Sequence, residues 1–195
     1  MLARKSYKMA FTIDTNFIDS FKIGDNINYN LKILEVLYKN YKDSSEGNFL
    51  IKPIVILNTS ITEAVLYDFI EYRIRRANFT EKLFEEIAKV LSTKHLDKFE
   101  HYITQAEKYD FFKMKDTNFY GAMHSLRKLR NRIHIQNSKH HEPRDEDKIF
   151  DEKAKILSEK VLEKTLITLS VEYPRREEYH KYVDDFKLPW NKHFS

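Results

Sequence analysis

The stretch Pro53-Ile-Val-Ile-Leu-Asn-Thr-Ser-Ile-Thr-Glu-Ala-Val-Leu-Tyr-Asp-Phe-Ile-Glu-Tyr-Arg-Ile-Arg-Arg76 decides the fold. Its apolar residues Ile54, Leu57, Ile61, Val65, Phe69 and Tyr72 recur every three or four positions, the period of a helix with one face turned to a core. Pro53 suits a first helical turn, where a missing N–H costs nothing. A long helix over 53–76 is therefore predicted. Working outward, 26–41 repeats the pattern with Ile27, Leu31, Leu34, Leu37, Tyr38 and Tyr41, and Lys42-Asp-Ser-Ser-Glu-Gly-Asn48 reads as the loop between the two helices. Downstream, Thr80 is placed to cap a shorter helix through Leu91, and 96–112 is helical with a weaker pattern. Residues 117–139 carry Phe119, Ala122, Leu126, Leu129 and Ile133 on one helical face, and Pro143 ends that run. Asp145-Glu-Asp147 puts negative charge where a last helix begins. That helix reaches about residue 171 on Phe150, Ala154, Leu157, Val161, Leu162, Leu166 and Leu169.

The expected architecture is all-α, a bundle of about five to six helices in one domain. An N-terminal strap (1–25) precedes the helical core (26–174), and an aromatic tail (175–195) follows it. The strap alternates apolar and polar residues from Tyr7 to Ile13 with no obvious partner strand. The tail balances its acids and bases but carries Tyr179, Tyr182, Phe186, Trp190 and Phe194. Aromatic residues at that density dock on the domain itself or on a second subunit.

Composition narrows the chemistry. Among 195 residues, 42% are hydrophobic and 33% charged, the balance of a globular chain. With no cysteine, disulfides, thiolate metal sites and a Cys nucleophile are excluded, and a reducing cytoplasm is the compatible setting. Three isolated glycines, Gly24, Gly47 and Gly121, cannot build a phosphate-binding loop. The first residues include bases but no apolar stretch of signal-peptide length. Apolar runs such as Pro53 to Leu57 are short, so neither a membrane span nor a membrane partner is expected.

Net charge is +4, with 34 basic against 30 acidic residues, so position matters more than total. From Thr117 to His141 there is no Asp or Glu, yet Arg127, Lys128, Arg130, Arg132 and Lys139 are present. On a continuous helix Arg127 and His134 fall within roughly 20° of each other in azimuth, and Arg130 within about 40° of His134. Asn131 lies beside them, and the set borders the apolar stripe. Elsewhere His95, His101 and His124 are too scattered in sequence to define a site. His140-His-Glu142 beside Pro143 reads as a solvated loop rather than a metal centre, so no metal site is assigned. Arg73, Arg75 and Arg76 form a basic helix end that could extend an anion-binding surface.

The run Leu126-Arg-Lys-Leu-Arg-Asn-Arg-Ile-His134, late in an all-α chain, resembles the signature of HEPN domains, an Arg, four to six residues and a His, often with a polar residue such as Asn directly after the Arg. Ser60-Ile-Thr-Glu-Ala-Val-Leu-Tyr-Asp-Phe-Ile70 is similar to the early helix of several HEPN groups, in which a polar or acidic residue faces the motif. The resemblance covers about 26–174. Arg127 fits the spacing but is followed by Lys128. Arg130 has its Asn131 but only three residues before His134. Gln136 stands where the toxins of this family that are paired with nucleotidyltransferase antitoxins usually carry a modified Tyr.

The resemblance implies a metal-independent endoribonuclease of toxin or anti-phage defence type, without cofactor. It also implies a homodimer, and as partners RNA and an antitoxin or other regulatory protein. His134 would serve as base or acid, and Arg127 and Arg130 as phosphate ligands, with a slight preference for Arg127 at the transition state. Asn131, Arg132, Lys128 and Glu63 would support them. The alternative is a non-catalytic HEPN-like module that binds RNA or protein through the same basic helix.

Overall fold

The computed structural model describes residues 11–75, 82–134 and 145–194. Its elements are a short strand β1 (Phe11–Ile13) and helices α1 (Phe21–Asp43), α2 (Ile51–Tyr67), α3 (Lys82–Ser92), α4 (Phe99–Lys108), α5 (Phe119–Arg130), α6 (Glu146–Ile149) and α7 (Glu152–Glu172), closed by strand β2 (Phe186–Leu188). The chain is all-α. α2 is the hub and packs on α1, α4, α5 and α7. Its buried face, Ile51, Ile54, Val55, Ile61, Val65 and Leu66, meets Ile27, Leu31 and Leu34 of α1 and Val161, Leu162, Leu166 and Leu169 of α7 in one core.

Three expectations change. The last helix is two, because the backbone leaves helical geometry at Phe150, whose ring is buried. Asp151 then restarts the helix by accepting the Ala154 amide at 2.8 Å. The strap does have a partner strand: β1 pairs antiparallel with β2, Phe11 opposite Leu188 and Ile13 opposite Phe186. Finally, 47–74 is long and apolar enough to cross a membrane by length and composition, and half of its most apolar window is buried in the fold. The short-run argument from Pro53 to Leu57 therefore overlooked this stretch. Thr80, Arg76 and residues 135–144 lie outside the described residues.

α2 does not simply end. It continues as a π-helical turn, Asp68–Ile74, the geometry that often marks a buried or functional position. Asp68 is 1% exposed, and its carboxylate accepts the Asp19 and Ser20 amides at 2.9 and 2.8 Å. These N–H groups lie at and just before the N-cap of α1, whose own Ser20 side chain makes no capping bond, so a residue 48 positions downstream of Ser20 holds the entry to the helix. Burial raises the Asp68 pKa to about 7, against the lowering effect of those two amides. Asp19 in turn faces Arg175 at 3.2 Å, and Arg73 donates to the Pro174 carbonyl, which ties the end of α7 to the start of α1.

The tail docks on the domain itself. Trp190 and Phe186 are buried, and Glu163, fully buried on α7, accepts the Trp190 indole N–H at 3.1 Å and the Phe194 amide at 2.8 Å. His193 reaches Glu159 at 2.7 Å, a carboxylate that also accepts the Tyr38 hydroxyl and Lys155. Gly24 marks the close approach of α1 to the tail, since a Cβ there would stand 2.6 Å from Val183 methyls.

Candidate functional site

α5 folds on Phe119, Tyr120, Met123 and Leu126, which it buries. Arg127, Lys128 and Arg130 occupy its last turn, where unpaired carbonyls favour cations. The helix stops at Arg130. Asn131–Ile133 form a 3₁₀ turn, and His134 is extended at φ −83°, ψ 98°. The expected continuous helix over 117–139 is thus cut short, and the azimuth that aligned His134 with Arg127 does not apply. His134 is exposed, as is Lys128, whereas Arg132 is buried. Among the described residues no hydrogen bond or ion pair joins His134 to either arginine.

The two arginines are instead gripped by acids from two other helices. Arg130 forms an ion pair with Glu63 of α2 and lies 3.4 Å from the Asn131 side-chain oxygen. Arg127 meets Glu100 of α4 at 3.0 Å, and its Nε is buried without a hydrogen-bond partner among the described residues. Burial pushes the Arg130 pKa down from its usual value. His124, one turn before Lys128, is lowered first by burial and then by the charge of Arg127. The sequence named Glu63 but not Glu100. The signal for Glu100 was indirect: an acid-free helix must find its counter-charges on neighbouring elements.

Beside the Glu63–Arg130 pair runs a groove of about 480 Å³ between α2 and the start of α4, lined by Glu63, Ala64, Tyr67, Leu96, Asp97 and Tyr102. The Tyr67 and Tyr102 rings meet edge to face at 5.7 Å. A hollow of similar size, about 530 Å³, lies at Phe49, Lys52, Phe150 and the acids Glu146, Asp147, Asp151 and Glu152. It carries four carboxylates, whereas the α2–α4 groove carries two, of which Glu63 is paired with Arg130, so that groove opposes a polyanion less. Arg75 does not extend that surface, because Glu71 and the Lys94 carbonyl engage it. Arg73 is turned toward Asp19 and Pro174.

The site can therefore present two guanidinium groups fixed by carboxylates, an accessible imidazole and an aromatic-walled groove. A fixed guanidinium offers its fork to phosphate oxygens with little reorganisation. No family model, curated protein or solved structure matches the chain in comparisons with each.

Proposed function

We propose that the chain is a HEPN-type endoribonuclease that cleaves RNA by attack of the neighbouring 2′-hydroxyl. The observation that carries this reading is the Glu63–Arg130 pair, which joins the acidic residue of the early helix to the Arg–Asn pair of the late one. Arg130 and Arg127 would neutralise charge on the phosphate, and His134, free at the surface, would move a proton. None of these roles calls for a metal. RNA is the substrate, and the exposed row Tyr29, Ile33 and Val36 on α1 offers apolar surface for a second copy.

The test is cleavage of end-labelled single-stranded RNA in EDTA by wild type and by His134→Ala. The reading expects 2′,3′-cyclic phosphate and 5′-hydroxyl ends, a rate maximum near neutral pH, and loss of cleavage in the variant. Strict magnesium dependence or 5′-phosphate ends would overturn it. The binding-module reading draws on one observation, that both arginines are already held in ion pairs. RNA binding without cleavage by wild type would favour it.

A further inference from the structure

The reaction proposed above needs two proton carriers, one to take the 2′-hydroxyl proton and one to give a proton to the departing 5′-oxygen. The stretch around the basic helix supplies His134 for one of these steps; its other described histidine, His124, is half-buried on α5, where burial first and then the charge of Arg127 oppose its protonation. The histidines that looked scattered in the sequence are not scattered in space. Asp97 gathers two of them. His101 Nδ1 stands 3.2 Å from Asp97 Oδ1, and His95 Nε2 stands 3.4 Å from Asp97 Oδ2. Asp97 also lines the groove whose opposite wall is Glu63, the residue holding Arg130.

We infer that His101, oriented by Asp97, is the second proton carrier of this groove, so that one chain holds both an acid and a base for RNA cleavage. This rests on the ribonuclease reading and adds a residue which that reading does not contain.

Three observations support it. The first is placement: His101 follows Glu100, which holds Arg127, on α4, and its carboxylate partner Asp97 lines the groove. The second is accessibility. About 38% of the His101 side chain is exposed, against 88% for His95, so His101 is the better sheltered of the two while remaining reachable. The third is the unmet need of the ring. Its Nδ1 is buried with no hydrogen-bond partner among the described residues, and the Asp97 carboxylate stands 3.2 Å away, near enough to serve it. A carboxylate on Nδ1 leaves Nε2 to face the substrate, the division of labour by which an acid orients a catalytic imidazole.

The step balances. His134 accepts the 2′-hydroxyl proton as the O2′–P bond forms. His101 gives its proton to the 5′-oxygen as the P–O5′ bond breaks. The products are a 2′,3′-cyclic phosphate and a 5′-hydroxyl, and proton exchange with water resets both rings. His101 is the catalytic residue here, and Asp97 is its positioning residue.

The experiment uses the full chain, mixed-sequence single-stranded RNA in EDTA, and a matched oligonucleotide with 5′-sulfur at a single linkage. A sulfur leaving group departs without protonation, so it removes the need for the acid alone. His101→Ala is expected to slow single-turnover cleavage of ordinary RNA by about 10²-fold or more, to cleave the sulfur substrate at close to the wild-type rate, and to recover with added imidazole. Asp97→Asn should show the same selective defect in weaker form. His134→Ala should be slow on both substrates, since sulfur does not help the base. Equal defects of His101→Ala on the two substrates, or wild-type rates on ordinary RNA, would overturn the role of His101 while leaving the ribonuclease reading intact. If the wild type cleaves neither substrate, the ribonuclease reading and this inference fall together.

Discussion

Asp68 gives the sharpest quantitative prediction, because its environment opposes its charge. Its pKa rises from 3.8 to about 7, chiefly through burial. That is about three pKa units, and at 1.36 kcal/mol per unit it corresponds to about 4 kcal/mol between protonation states. The sign follows from linkage. Below pH 3.8 the carboxyl is protonated in both folded and unfolded chains, and its contribution to stability is fully present. Between there and about pH 7 the unfolded chain ionises first, so stability falls by about 1.4 kcal/mol per pH unit. Above the folded pKa the loss levels off. Asp68→Asn carries a neutral group of the same shape that still accepts one of the two amides. The variant should match wild type near pH 4 and exceed it above pH 7.5. About 4 kcal/mol is the upper bound, and the preference of the two amides for the anion is already contained in the folded pKa. Asp19, raised by burial against the charges of Arg73 and Arg175, also titrates nearby, so the quantity to measure is the wild-type-minus-variant difference. Urea unfolding followed by circular dichroism at several pH values provides it. A difference that is flat with pH, or one in which wild type gains on the variant as pH rises, would refute the reasoning.

Arg127→Ala should lower the single-turnover rate strongly with little change in RNA affinity, the mark of a transition-state contact. Arg130→Ala should weaken binding and flatten its salt dependence, and Glu63→Ala should reproduce part of that loss by freeing Arg130; filter binding across a salt series with single-turnover kinetics separates these, and the reverse pattern would exchange the two roles. Trp190→Ala should cost about 3–5 kcal/mol in urea unfolding, because the indole is buried and bonded to Glu163. As the chain's one tryptophan, Trp190 also reports on docking of the tail, and fluorescence and dichroism midpoints that separate in wild type would show the tail to be a detachable strap.

Where burial is periodic, the sequence could be read directly. Ile54, Ile61, Val65 and Phe69 were named from spacing and all are buried, as are Ile27, Leu31, Leu34 and Tyr38 on α1. Hydrophobic pattern is local, and the helices follow it. What escaped was not local. The partner of β1 lies beyond residue 185, and β strands of three residues carry too few alternations to announce a pairing. The Asp68 contact joins residues 48 apart, and no helix-start rule looks for an acceptor in another helix. The break at Phe150 was hidden because an inward-facing aromatic fits a continuous helical stripe as well as it fits a junction between two helices.

The candidate site shows the same division more severely. Arg127 and Arg130 were legible because charge stands out where acids are missing, Glu63 only through the resemblance of its helix to the early helix of HEPN domains, and Arg130 and Glu63 meet in an ion pair. The relation of His134 to them was inferred by extending a helix through Asn131, and the backbone leaves the α-helix there. An azimuth holds only as far as its helix does. The reason lies in the residues themselves: Arg130 and Arg132 turn back toward the fold, one to Glu63 and the other into a buried position, and a 3₁₀ turn advances about 120° per residue where an α-helix advances about 100°. The contacts of His95 and His101 with Asp97 are local ones, two and four residues apart, that a search for charge in the basic helix passes over. A histidine seven residues along one helix was therefore a weaker guide to the site than a carboxylate near the start of another, which the packing of α4 against α2 places in one groove with Glu63.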